Sequence, residues 1–327
     1  MRDLVADFTK HLAKAIEIGA RTSFRNTDRK IENVLISGLG GSGIGGTIVS
    51  QLVAQEIKIP VIVNKDYSIP EFVNENTLFI VSSYSGNTEE TLYALEAAEK
   101  KGAEIVCVTS GGKVESRAIE KGYNHIIIPG GLPPRAAFGL GFPQLLYVLN
   151  QYGLITNDFE EGIKDVIKSI NSNDSEIKQQ AKYIASSLKD TIPAIYTEAS
   201  FEGVAIRFRQ QVNENAKMLC WHHVIPEMNH NELVGWAGGS DKFSVIIFRN
   251  KTDFYRSQKR IDINKEIIKK HTSNITEVFS KGYSAIEKML YLIHFGDWIS
   301  VELADLKQID ATEVDVITGL KDELSKL

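Results

Sequence analysis

From Ile31 onward, short β-branched runs alternate with longer stretches of helical spacing, the pattern of a parallel sheet covered on both faces. Asn33 to Ser37 (NVLIS) reads as the first strand, followed by a glycine-rich loop and a helix through about Ala54. Further strands are expected at 61–63 (VIV), 78–83 (LFIVSS), 104–109 (EIVCVT) and 125–129 (HIIIP), with a helix from Glu89 to about Lys101. These apolar runs are continuous rather than alternating, as befits strands buried on both sides.

Between Tyr152 and about Asn173 the strand signal disappears, and SNDSEIKQQ offers a break with an N-cap at Asp174 or Ser175. The grammar then repeats. Ile192 to Thr197 reads as a strand, Phe201 to Met218 as a helix, 242–248 (KFSVIIF) and 274–280 (NITEVFS) as strands, and Ser284 to about Leu306 as a long helix. We therefore expect an α/β chain built on a degenerate duplication: an N-terminal helical segment at 1–30, a first domain at 31–152, a linker at 153–175 and a second domain at 176–327.

The 327 residues are enough for two such cores, and 43% hydrophobic with 24% charged residues excludes a disordered or fibrous chain. A net charge of −5 without a basic run argues against nucleic acid or an anionic membrane as partner, leaving small molecules or protein. The N-terminus alternates apolar and charged residues instead of forming a signal-peptide run, and no apolar run reaches membrane-spanning length. Cys107 and Cys220 lie outside any CxxC arrangement, so neither a disulfide framework nor structural zinc is expected, and the reduced cytoplasm is the expected location.

Two loops carry the chemistry. In SGLGGSGIGG, Gly38, Gly40, Gly41, Gly43, Gly45 and Gly46 follow a strand and open a helix, where backbone N–H groups receive an anion and Ser42 adds a hydroxyl. Gly38, Gly40 and Gly43 also satisfy GxGxxG, with Asp66 standing where a ribose-binding acid is expected, so a dinucleotide site competes. A tight turn needs fewer glycines than these six. The second loop, SSYSGNTEET, presents Ser83, Ser85 and Thr88 beside a glycine and a helix start, an arrangement suited to the three terminal oxygens of a phosphate monoester. Helix capping by Asn87 or Thr88 would account for only part of this set. In an open parallel sheet, neighbouring loops of this kind converge on one crevice.

With SxSGNT in particular, these loops resemble the sugar isomerase (SIS) domain. GGLPPRAAFG at 130–139, NEN at 213–215 and PEMNHNELVGW at 226–236 further resemble the bifunctional phosphoglucose/phosphomannose isomerases, a family of two SIS domains. The resemblance runs from about Val34 to the C-terminal helix. It implies two SIS-type doubly wound domains, each a mainly parallel sheet flanked by helices, in a homodimer with shared active sites. It also implies interconversion of fructose 6-phosphate with glucose 6-phosphate and mannose 6-phosphate by metal-free proton transfer through an enediolate, with no cofactor.

By the same resemblance Glu214 would move the proton between C1 and C2, and His230, reaching across the dimer interface, would help to open the sugar ring. Arg135 would stabilise the enediolate, and Lys321 would assist ring opening. Thr312 would accept the C2 epimer, and Gly41, Ser42, Ser83, Ser85 and Thr88 would bind the phosphate. The stretch Asp310-Ala311-Thr312-Glu313 departs from the family's Asp-Pro-Thr-Pro.

Each residue also has a plainer reading. Glu214 would be an ion-paired surface residue, His230 a structural histidine, Arg135 part of a surface turn and Lys321 the wet face of a terminal helix. His222, His223, Glu227 and His230 match no metal-ligand spacing. Two other functions remain open: a phosphosugar sensor without turnover, and a nicotinamide-dependent oxidoreductase using GLGGSG.

Overall fold

A computed structural model describes residues 1–324 and 326. Its helices are α1 (Arg2–Ala6), α2 (Phe8–Arg21), α3 (Gly40–Leu52), α4 (Glu89–Lys100), α5 (Gly112–Lys121), α6 (Phe138–Gln151), α7 (Phe159–Leu188), α8 (Glu202–Ala216), α9 (Glu232–Gly235), α10 (Tyr255–Ile268), α11 (Ala285–Leu306) and α12 (Asp315–Leu324). The strands are β1 (Asn33–Ser37), β2 (Val61–Asn64), β3 (Thr77–Ser83), β4 (Glu104–Thr109), β5 (Asn124–Ile127), β6 (Ile192–Glu198), β7 (Trp221–Ile225), β8 (Phe243–Arg249) and β9 (Ile275–Phe279). Two compact units result. The N-terminal unit holds Ala6–Ser172 and Lys281–Tyr291; the C-terminal unit holds Met1–Val5, Asn173–Ser280 and the chain from Leu292 onward.

The N-terminal unit is built on a parallel sheet of order β2-β1-β3-β4-β5, with Val34 opposite Leu78 and Leu78 opposite Glu104. Every residue of β3 is buried, as its continuous apolar run requires. The pleat sends Leu35, Phe79, Val81 and Cys107 toward Ala94 and Leu95 of α4 and Val114 of α5. Helices α3 and α6 pack together and against strands of the sheet, and α2 lies along α6 with Phe8, Leu12 and Ala15 buried.

The C-terminal unit has the order β7-β6-β8-β9, again parallel throughout. One face packs Ala194, Tyr196, Val245 and Ile247 against Met228, Trp236 and Ile261. Phe248 meets Phe208 of α8 edge-on at 5.4 Å between centroids. Within each unit the two middle strands, β1 with β3 and β6 with β8, are neighbours reached by crossovers in opposite directions. Their carboxyl ends therefore flank a topological switch point, where ligands of open α/β sheets bind.

Two expectations are corrected. The break at Asp174 or Ser175, within the expected 153–175 linker, is the interior of α7, a continuous helix of 30 residues. Its polar run lies on the wet side, while Ile163, Val166, Ile170, Ile177, Ala181 and Ile184 maintain a buried stripe at helical spacing. Strand β7 was not foreseen: WHHVI has two histidines in place of a β-branched run, and as a half-buried edge strand it needs little hydrophobic signal. Both thiols are free; burial pushes Cys107 and Cys220 each up to about 12.

Candidate active site

In the N-terminal unit the two glycine- and hydroxyl-bearing loops lie at the carboxyl ends of β1 and β3, and hydrogen bonds stitch them together. The Tyr84 N–H donates to Ser42 Oγ at 3.0 Å, and Ser82 Oγ donates to the Ser42 carbonyl at 3.5 Å. Ser83 Oγ, buried, donates to Thr88 Oγ1 at 3.1 Å, while Ser85 is exposed and its Oγ accepts the Asn87 N–H at 3.2 Å. Thr88 is the N-cap of α4 but makes no side-chain capping bond among the described residues. The first-turn N–H groups have no acceptor within their helix, and the helix dipole favours negative charge there.

The loop holds this shape because Gly86 is left-handed, at φ 65°, and a Cβ there would lie 1.8 Å from the Gly111 carbonyl oxygen. Gly41 performs the same service for the other loop. A Cβ on it would come within 2.9 Å of the Pro134 carbonyl oxygen and 3.3 Å of Arg135 Cα, so the Pro133-Pro134-Arg135 turn rests directly on the glycine loop. The turn is closed by Ala136 N–H to the Pro133 carbonyl at 2.9 Å and leads into α6. Arg135 is only 4% exposed, unlike a residue of an ordinary surface turn. A small cavity lined by Ser42, Ser82, Tyr84, Pro134 and Phe138 lies where the loops and the turn meet. Asp66 is exposed, its carboxylate accepting the N–H of Tyr67 at 2.6 Å.

The C-terminal unit carries Glu214, His230, Thr312 and Lys321. Glu214 sits half-buried in the last turn of α8, and the asparagines beside it are both anchored. Asn213 Nδ2 donates to the Met218 carbonyl at 2.7 Å, and Asn215 Nδ2 donates to Ser300 Oγ of α11 at 2.9 Å. Two turns up the helix, Arg207 pairs with Asp297 at 2.6 Å, both buried. These polar contacts fix the rotation of α8 about its axis, and with it the direction of Glu214.

His230 is exposed at the end of a short 3-10 turn, Glu227–His230, which follows a cis Ile225–Pro226 bond. Asn229 Nδ2 ties this turn to Asn264 Oδ1 at 2.7 Å. Two residues beyond His230, the Glu232 carboxylate accepts bonds from the Tyr196 hydroxyl and, at 2.8 Å, from Trp221 Nε1; Trp236 Nε1 donates to the same Tyr196 oxygen at 3.0 Å. Desolvation is the first cause, and the Glu232 bond a further one, that holds the Tyr196 hydroxyl far above its ordinary pKa. No metal cluster forms from the nearby histidines among the described residues: His222 Nε2 faces Glu202 at 3.6 Å, and His223 Nδ1 accepts the Val224 N–H at 2.8 Å.

Thr312 is exposed in the loop between α11 and α12, and Lys321 is exposed on α12. One side chain that the sequence did not single out gathers part of this set. Lys217 Nζ donates to the Glu214 carbonyl at 2.7 Å, the Glu313 carbonyl at 2.7 Å and the Asp310 carbonyl at 3.2 Å, so the end of α8 and the Thr312 loop meet on one ammonium. His230 and Lys321 are not among the residues it gathers. The available signal was its place two residues after NEN, at a helix end, too common a position for lysine to stand out.

The crevice of the second sheet is chemically different from the first. After β6 and β8 it carries Glu198 and Asp253 in place of a glycine-hydroxyl cradle; burial first, with Glu198 also contributing, raises the Asp253 carboxyl.

Comparison with known proteins accounts for this construction. The family model for the bacterial phospho-glucose isomerase C-terminal SIS domain matches residues 177–324. The chain is 39% identical to the bifunctional phosphoglucose/phosphomannose isomerase of Caldicellulosiruptor bescii, covering 100% of this chain and 99% of that one. It belongs to the bifunctional phosphoglucose/phosphomannose isomerase family. Its counterpart in Aquifex aeolicus is 36% identical over 90% of this chain and 91% of its own. In fold the chain is similar to the C-terminal domain of glucosamine-fructose-6-phosphate aminotransferase from Francisella tularensis, with a TM-score of 0.78 at 14% identity over 96% and 97% of the two chains.

Proposed function

We propose that this member of the bifunctional phosphoglucose/phosphomannose isomerase family interconverts fructose 6-phosphate with glucose 6-phosphate and mannose 6-phosphate. The observation that carries the reading is the stitched pair of loops bearing Ser42, Ser83, Ser85 and Thr88 at the switch point of the first sheet. Hydroxyls and first-turn N–H groups there suit the dianionic phosphate, with Gly41 allowing the close approach of the Arg135 turn.

Aldose-ketose interconversion removes a proton from the carbon beside a carbonyl and returns it to the neighbouring carbon; one carboxylate serves both steps. In this reading that group is Glu214, the buried guanidinium of Arg135 holds the enediolate oxygen, His230 and Lys321 assist ring opening, and Thr312 accommodates the C2 epimer. An aimed cationic donor of this kind contributes about 3 kcal/mol to such a transition state. No redox partner is required, because oxidation at one carbon is balanced by reduction at the other. The exposure of His230 and of Val316, Ile317 and Leu320 on α12 supports a homodimer in which a second copy completes the site. The cytoplasm is the matching location.

Turnover of fructose 6-phosphate in EDTA, with the two aldose phosphates resolved as separate products, tests the proposal. Both products are expected. Glucose 6-phosphate alone would remove the role given to Thr312. Thermal protection by the ligand without any product would favour a phosphosugar sensor instead.

A further inference from the structure

We propose that Lys217 is a positioning residue that locks the proton-transferring end of α8 to the Thr312 loop, and so sets the ratio in which the two aldose phosphates form. The inference rests on the reading of Glu214 as the base and of Thr312 as the group that meets C2.

Its geometry is unusual for a surface lysine. Lys217 has left-handed backbone, φ 52°, immediately after α8, and the Met218 N–H returns to the Val212 carbonyl at 3.4 Å, as in a helix closed by a left-handed residue. Left-handed backbone disfavours any residue with a Cβ, and glycine or asparagine is the usual choice there. What the lysine gains is its ammonium. All three N–H groups are committed to main-chain carbonyls, those of Glu214, Asp310 and Glu313, and the Glu313 carboxylate lies 3.6 Å away. These acceptors belong to segments almost a hundred residues apart in sequence, and a cation at the carboxyl end of a helix is also favoured by its dipole. Lys307 Nζ, just past the end of α11, reinforces the junction by donating to the Ala216 carbonyl at 2.9 Å.

Because the three hydrogen bonds of Lys217 go to main-chain carbonyls, it fixes the backbone from which Glu214 and Thr312 project. The two aldoses differ only in the face of C2 that receives the proton. Their ratio therefore depends on how the base stands relative to the group holding C2, and misplacement of about 1 Å is enough to change such a step by about 10²-fold.

The test compares the wild-type chain with Lys217→Asn, which tolerates left-handed backbone but lacks the ammonium, Lys217→Arg, which keeps the charge, and Glu214→Gln. For Lys217→Asn we expect kcat on fructose 6-phosphate to fall about 10-fold or more with KM changed less than about 3-fold, and the product ratio to move by about 3-fold or more. Lys217→Arg should lie between it and the wild type. A folded Lys217→Asn with unchanged kcat and product ratio overturns the inference, whatever its melting temperature, since a purely structural lysine would alter stability alone. If Lys217→Asn does not fold, an unchanged product ratio and kcat in Lys217→Arg overturn it equally. Should Glu214→Gln turn over normally, the underlying reading of the base fails; should it be inactive while Lys217→Asn behaves as wild type, only the present inference fails.

Discussion

Glu214 stands between two asparagines whose side chains are anchored, one on the Met218 carbonyl and one on Ser300. Replacing it by glutamine keeps its shape and removes the carboxylate proposed as the base. Glu214→Gln is expected to lower kcat by about 10² to 10⁴-fold while phosphosugar still raises the melting temperature, which single-turnover assays and thermal shift would measure together. His294 makes a second prediction, about stability. It is 1% exposed, its Nε2 accepts the Trp298 indole N–H at 3.1 Å, and burial pushes it down to about 3. The unfolded chain, with a histidine near 6.5, binds more protons than the native one between these values, so the neutral ring contributes its full stability above pH 6.5 and loses it as pH falls toward 3. Calorimetry should show stability falling by about 1.4 kcal/mol per pH unit below 6 from this group. His294→Gln, which retains an acceptor for Trp298, should lessen that slope.

At the scale of elements, what could be read from the chain was whatever neighbours in sequence supply. The hydroxyl loop is one continuous decapeptide, and its place between a strand and a helix follows from the periodicity around it. The glycine that shapes it was legible as a turn residue, but the Gly111 carbonyl that excludes a side chain comes from the next βα loop and carries no local signal. Gly86→Ala is expected to cost about 1–3 kcal/mol from left-handed backbone alone, more with the clash, and to abolish protection by phosphosugar in thermal denaturation. The His230 turn shows the opposite limit. Its motif was evident, whereas Tyr196 and Trp221, which hold Glu232, and Trp236, which bonds the Tyr196 oxygen, come from two strands and a turn that only the fold unites. Tyr196→Phe leaves the Trp236 N–H and one Glu232 bond unmet in a buried setting, for an expected loss of about 1–3 kcal/mol by denaturant titration. Helix α7 carries a polar run that resembles a break, with Asn173 and Asp174 in the stripe positions between Ile170 and Ile177, although the apolar stripe resumes beyond it.

For the molecule as a whole, the repeat of strand and helix grammar was visible, while the different lining of the two switch points was not. The two sheets share an order about their middle strands, yet among the described residues the first carries a glycine and hydroxyl cradle at its switch point, whereas the second presents Glu198 and Asp253 with Arg249 beside them. Isothermal titration with a phosphosugar should therefore give one site per chain, and two equivalent sites would refute that assignment. The sulfurs add a practical consequence. With both thiols held protonated to about 12, the native cysteines are poor nucleophiles at neutral pH. A cysteine introduced at exposed Ser85 should then outpace both natural ones toward a maleimide dye, giving a fluorescent reporter of loop occupancy in the otherwise unaltered chain.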